Sequence, residues 1–239
     1  GSISGTITDP NEQPLENVWV SAYSASGSGS AGSRHTDSNG QYTFDDLAGG
    51  SYIIFAYLNN GWYFQMYYDG KYTWNEADAV QVSEGLVTSA IDIQLQPGGY
   101  ISGRVTDPNE DPVEDMQIYA RDYETGNHLG YGITEANGFY TIGPLPPTNC
   151  RVEVTTWDTN YITEYYNAKY SWQAADIVSV CRGRTTDGID FALETGACMA
   201  GYVYDPNGDP VQEATINLYS EQADFGRAGQ TDATGYYNL

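Results

Sequence analysis

Ser4-Gly5-Thr6-Ile7-Thr8-Asp9-Pro10-Asn11-Glu12 returns 98 residues later as Ser102-Gly103-Arg104-Val105-Thr106-Asp107-Pro108-Asn109-Glu110. The stretch alternates and then stops at a Pro-containing reversal, which reads as a β-strand ending in a turn. Its return at a fixed distance makes the chain a repeat. The same shift carries Tyr67-Tyr68 onto Tyr165-Tyr166, Lys71-Tyr72 onto Lys169-Tyr170, Trp74 onto Trp172 and Ile91-Asp92 onto Ile189-Asp190 without a gap. A third copy begins near Ala197, with Gly201, Asp205-Pro206-Asn207 and Pro210 a further 98 residues on. One residue is then lost, so that Gly235-Tyr236-Tyr237 matches Gly40-Gln41-Tyr42.

Matches spread over a whole unit imply duplicated domains, because a unit of about 100 residues can fold alone. The expected division is 1–97, 98–196 and a truncated third repeat at 197–239. The links are short, Gln96-Pro97-Gly98-Gly99 and Glu194-Thr195-Gly196-Ala197, so a fairly stiff string is expected. Each full unit reads as about seven short strands. Residues 4–8 and 17–23 alternate, with Val18 and Val20 on one face. Asp37-Ser38-Asn39-Gly40 predicts a hairpin, Tyr42 and Phe44 follow at period two, and Gly49-Gly50 turns the chain into 51–58. Residues 81–83 and 91–95 flank the Glu84-Gly85 turn, and only 74–80 hints at a helical period. Turns every 8–12 residues predict an all-β fold, a β-sandwich.

The order of these pieces is similar to the carboxypeptidase regulatory-like domain. The pieces are Ser4 to Leu15, then Val18-x-Val20-x-Ala22-Tyr23, then Thr36 to Phe44, then Leu47-Ala48-Gly49-Gly50-Ser51-Tyr52. The resemblance covers both complete copies and the start of the third. It implies a transthyretin-like (prealbumin-like) sandwich, seven-stranded and in tandem. Members occur as accessory or tandem domains of secreted and cell-surface proteins, and the family brings no catalytic motif.

Composition narrows the function. The chain has 239 residues, 9 of them basic and 32 acidic, for a net charge of −23. Lys occurs only at Lys71 and Lys169. Phosphate contacts need Lys and Arg, so nucleic acid is excluded as a partner, and so is an anionic membrane surface. No run of 18 apolar residues exists to span a bilayer. The 22 Tyr, 6 Phe and 5 Trp argue against disorder. The chain opens Gly1-Ser2 without a signal peptide and reads as trimmed from something longer. Acidity, scarce Lys and abundant Tyr, Ser, Thr and Asn suggest an extracellular place, secreted or at the cell surface.

Catalytic patterns are missing. His35 and His128 occupy unequal positions in the two copies, and neither joins a Ser–His–Asp order or a zinc motif. No enzyme is expected, and no cofactor beyond calcium. Asp9, Asn11 and Glu12, with Asp107, Asn109 and Glu110, cluster oxygen ligands of the kind calcium takes. The competing reading is a β-turn whose Asp and Asn bond nearby backbone N–H groups. The third copy has Gly208 where the others have Glu, which favours the turn.

Tyr67, Tyr68, Tyr72 and Trp74 repeat as Tyr165, Tyr166, Tyr170 and Trp172, and are read as packing. Trp19 and Trp62 face Gln117 and Asn160 in the second copy, so they are expected on the surface, where they could stack on carbohydrate. The repeated lysines are read as loop residues whose stems lie on Tyr. Should a disulfide form, Cys150–Cys181 is the expected pair, with Cys150 pointing inward. The expected role is a non-enzymatic structural or spacer module. The alternative is a carbohydrate-binding accessory module of a secreted hydrolase or peptidase. The expected partners are accordingly carbohydrate or a surface protein.

Overall fold

The computed structural model describes residues 1–27, 29–59, 61–156, 160–220 and 226–239. Among them, regular structure is strand throughout, apart from one 3-10 turn at Tyr68–Gly70. None of the described helical residues forms a helix long and apolar enough to cross a membrane. The chain packs as two compact units. One holds Gly1–Tyr100 with Gly143–Thr148 and Val180–Thr185; the other holds Ile101–Ile142, Asn149–Ser179 and Thr186–Leu239.

The first stretch runs β1 (Ser2–Thr8), β2 (Trp19–Ser24), β3 (Ser30–His35), β4 (Gln41–Phe44) and β5 (Gly50–Tyr57). Then come β6 (Met66–Tyr67), β7 (Val80–Val82), β8 (Val87–Thr88) and β9 (Ile93–Gln94). Strand β1 is antiparallel to β4 and parallel to both β8 and β9. The second sheet runs β3-β2-β5-β6, with β7 also paired to β5. Ile3 and Ile7 of β1, Phe44 of β4, Val20 of β2 and Ile54 of β5 belong to one buried cluster. Period-two alternation sends these side chains inward from both sheets, which makes a sandwich. At Gly5 the segment leading into β9 lies so close on β1 that a Cβ would overlap the Ile91 carbonyl oxygen.

The pattern recurs in β10 (Gly99–Thr106), β11 (Gln117–Asp122), β12 (His128–Ile133), β13 (Phe139–Leu145) and β14 (Asn149–Thr155). It continues in β15 (Glu164–Tyr165), β16 (Val178–Ser179), β17 (Thr185–Thr186) and β18 (Phe191–Ala192). The sheets are β13-β10-β17 with β18 on β10, and β12-β11-β14-β15 with β16 on β14. The last stretch has β19 (Ala200–Tyr202), β20 (Thr215–Tyr219), β21 (Gly226–Gln230) and β22 (Tyr236–Asn238), paired as β19–β22 and β20–β21. Its strands alternate between exposed and half-buried, and among the described residues after Leu193 no large apolar side chain is buried.

Two local expectations are corrected. The Asp37–Gly40 turn closes as predicted, with Gly40 at φ 72° and the Asp37 N–H donating to Gln41 O at 3.0 Å. It does not join a hairpin: β3 pairs with β2, while β4 pairs with β1. The turn carries the chain from one sheet to the other, because Tyr42 and Phe44 are drawn to the core and polar β3 is left as an edge. Residues 74–76 form a turn, with Ala77 N–H donating to Trp74 O at 3.3 Å, and Val80 already opens β7, so the segment is no helix. Cys150, Cys181 and Cys198 are all free thiols, so the condition on the Cys150–Cys181 pair is not met; Cys150 is buried as expected, and Cys181 is exposed.

Candidate functional site

The acidic turns are built by their own side chains. Asp9 Oδ1 accepts from the Asn11 and Gln13 N–H groups, each at 2.8 Å, and Oδ2 accepts from Asn11 Nδ2 at 3.4 Å. Asp107 repeats this with Asn109 and Asp111, and Asp205 with Asn207 and Asp209. Backbone hydrogen bonds, foremost from Gln13, hold the Asp9 carboxyl below the usual range. Glu12 and Glu110 stand in left-handed backbone, at φ 63° and 67°, as Gly208 does at 88°. The Glu-to-Gly exchange between copies is therefore a conformational equivalence. Asp9, Asn11 and Glu12 share one turn, as do Asp107, Asn109 and Glu110. Among the described residues no three His, Cys, Asp or Glu side chains gather into a metal-holding group.

The two candidate sugar platforms lie apart in character. Trp62 is 70% exposed on a loop, and its carbonyl accepts the Gly98 N–H at 2.8 Å. Trp19 is 44% exposed on β2, where it pairs with His35 of β3 and Tyr57 of β5. Its ring meets the His35 ring edge to face, 4.9 Å between centroids. Its indole N–H donates to Ser21 Oγ at 2.7 Å, and Ser21 Oγ lies 2.8 Å from Ser33 Oγ. Trp19 lines an open cleft of about 610 Å³; Trp62 does not.

Beside that cleft Tyr23 stacks on Phe55 at 5.9 Å, and Trp74 meets both Tyr23 and Tyr67 edge to face. In the second copy the positions of Tyr23 and Phe55 hold Arg121 and Glu153, which form an ion pair at 2.6 Å. Arg151 lies 4.5 Å from the ring centres of both Tyr123 and Trp172. Cation–π packing thus replaces ring stacking on the same outer face. Tyr67 and Tyr165 are buried in keeping with the packing reading, whereas Trp74 is 41% exposed. Lys71 turns its ammonium to Asp78 at 3.7 Å.

Two groups escaped the sequence reading. Thr36 is buried, accepts from Val18 N–H at 2.9 Å and donates to Leu15 O at 2.6 Å; Thr231 does the same between Ala214 and Val211. Thr134 likewise accepts from Met116 N–H, and the recurrence of this threonine was the available signal. Glu164, 2% exposed, stands where the first copy has Met66, and its Oε2 has no hydrogen-bond partner. Burial, helped by Glu194, pushes its carboxyl up to about 7. Comparing Met66 with Glu164 would have found it.

The family model of the carboxypeptidase regulatory-like domain matches residues 2–96 and again 100–193. A curated relative, serine-aspartate repeat-containing protein F of Staphylococcus epidermidis, is 25% identical over 270 residues covering 98% of this chain. The chain spans 16% of that protein's length. Among solved structures, the Bacillus anthracis TIE protein is 13% identical with a TM-score of 0.35, covering 100% of this chain and 42% of that one. GBS52, the minor pilin of Streptococcus agalactiae, is 12% identical with a TM-score of 0.41, covering 82% of this chain and 96% of that one.

Proposed function

The chain belongs to the carboxypeptidase regulatory-like domain family, and from that premise we propose that it is a non-enzymatic spacer of a secreted or cell-surface protein. The modules would be 1–97, 98–196 and a partial third at 197–239. One observation carries this reading: the link after the first family match is packed in place. Gly98 N–H donates to Trp62 O at 2.8 Å and Gly98 O accepts from Gly183 N–H at 3.0 Å. A Cβ on Gly98 would overlap Pro144, and one on Gly99 would overlap Val180 and the Cys181 carbonyl. A link built into a compact unit in this way suits a stalk better than a free glycine tether does. The relative from Staphylococcus epidermidis is by name repeat-containing, in keeping with a modular role. Both histidines are edge partners of aromatic rings, Trp19 and Tyr119, which supports a structural use for them.

The test is a spin-label distance between Glu16→Cys in one compact unit and Glu114→Cys in the other, both exposed, in a chain with Cys150→Ser, Cys181→Ser and Cys198→Ser. A spacer gives one narrow distance distribution, and Gly98→Ala broadens it. A distribution tens of ångströms wide in the unaltered link would overturn the reading.

The second reading, a carbohydrate-binding accessory module of a secreted hydrolase or peptidase, is favoured by the aromatic cleft at Trp19.

A further inference from the structure

The outer face of the sheet β3-β2-β5 carries a row that the fold does not need. Trp19 lies opposite His35 and Tyr57; in the second copy the same register holds Gln117 opposite Ile133 and Thr155. The backbone pairing is identical, so Gln, Ile and Thr serve it equally well. Trp19 and Tyr57 nonetheless stay 44% and 40% exposed. Apolar ring surface left in water gains no burial energy from this placement. The Trp19 ring is also fixed before any ligand arrives, through its bond to Ser21, the Ser21–Ser33 contact behind it and the His35 edge. Such pre-ordering lowers the entropy cost of binding.

The surroundings define the ligand. The cleft of about 610 Å³ lies within the usual range of small-molecule sites. Asn17, Asn59 and Gln65 line it beside Trp19, His35 and Tyr57, and among the described residues no Asp, Glu, Lys or Arg does. In a chain of charge −23 an uncharged cleft is a selective feature. Amides offer donors and acceptors together, matching hydroxyls, which also do both. A flat ring complements the apolar face of a pyranose. The surrounding negative field repels an anionic glycan. We propose that this cleft binds a neutral oligosaccharide, with the Trp19 indole as the stacking platform and Asn17, Asn59 and Gln65 as hydroxyl partners. The second copy, with Gln117 and the Arg121–Glu153 ion pair, does not bind it. The inference rests on the accessory-module reading and leaves the spacer reading untouched.

Calorimetric titration of the full chain tests it, with cellohexaose, maltohexaose and chitohexaose as neutral probes, a hyaluronan hexasaccharide as the anionic one and an uncharged proline-rich decapeptide. At least one neutral sugar is expected to bind with a submillimolar Kd and a stoichiometry of one. Trp19→Gln, which installs the second copy's residue, weakens it at least tenfold with Tm unchanged, while Trp62→Ala does not. Failure of all three neutral sugars, tighter binding of the anionic sugar or the peptide, or insensitivity to Trp19→Gln would each overturn the proposal. Failure here together with a narrow spin-label distribution would remove the accessory reading and keep the spacer.

Discussion

The Tyr42 phenol donates to the main-chain oxygen of Ile91 at 2.6 Å, reaching past Gly5 of β1, the residue it pairs with. Tyr140 and Ile189 repeat the bond at 2.5 Å. Burial, reinforced by Asp92, holds the Tyr42 phenol far above its ordinary pKa, and burial with Asp190 does the same for Tyr140. Each bond occupies a buried carbonyl that faces the position where Gly5 or Gly103 leaves room.

Tyr42→Phe and Tyr140→Phe should each destabilise the chain by about 1–3 kcal/mol, since a buried acceptor loses its donor. Urea unfolding followed by fluorescence reads this as a lower midpoint with an unchanged slope. A midpoint equal to that of the parent chain would contradict the bond's role.

Glu12→Gly and Glu110→Gly should stabilise by about 0.5–1 kcal/mol each, because both residues hold left-handed backbone that glycine adopts freely. Gly208 already shows the exchange at the third turn. Scanning calorimetry should show a rise in Tm; a fall would mean that the Glu side chains contribute more than the conformation costs.

Calcium is the control on the same turns. Asp9 and Asp107 already accept two backbone N–H groups each, so millimolar calcium and sodium chloride of equal ionic strength should give the same Tm. A calcium-only rise that disappears in Asp9→Ala with Asp107→Ala would instead establish a bound ion.

Glu164 should make stability pH-dependent. Its folded pKa, pushed up to about 7, lies above the unfolded value near 4.5. Its contribution is therefore complete below about pH 4.5 and is lost as pH rises through about 7. Allowing for solvent screening, the loss is about 1–2 kcal/mol, short of the roughly 3 that the full shift would imply. Glu164→Met, which restores the first copy's residue, should raise Tm at pH 8 and barely change it at pH 4.5. Equal effects at both pH values would assign the gain to packing alone.

The thiols should separate into two classes. Burial, aided by Asp122, pushes the Cys150 thiol up to about 12, while Cys181 and Cys198 are exposed. Ellman's reagent should titrate two thiols quickly in the native chain and the third only in urea. Three fast thiols would show that Cys150 opens readily.

The core was legible because alternation is local. Ile3 and Ile7, and Tyr42 and Phe44, point inward at period two, and all four are buried. The Asn39-Gly40 turn was legible as a turn, but its sheet partners were not. Whether β4 pairs with β3 or with β1 depends on what fills the interior, which lies outside any short window. The two-residue strands β6 and β8 are too short to show a period. Trp19 could be found because the copies disagree there, and Glu164 hid because a single acid in an acidic chain carries no signal until the copies are aligned.

The parallel pairing of β1 with β9 also sets how the first module answers a pull. Ile7 and Thr8 lie beside Ile93 and Gln94, and Leu95 N–H donates to Thr8 O at 2.8 Å. The chain enters at the Ser2 end of β1 and leaves past its Thr8 end. Tension applied through the two ends therefore runs along these strands in opposite senses. The bonds joining β1 to β9 are loaded together in shear and must yield at once, whereas an antiparallel pair pulled from one end would open bond by bond. In a spacer of the kind proposed, entry and exit through parallel neighbours would carry tension, with a resistance to force governed by the unfolding rate.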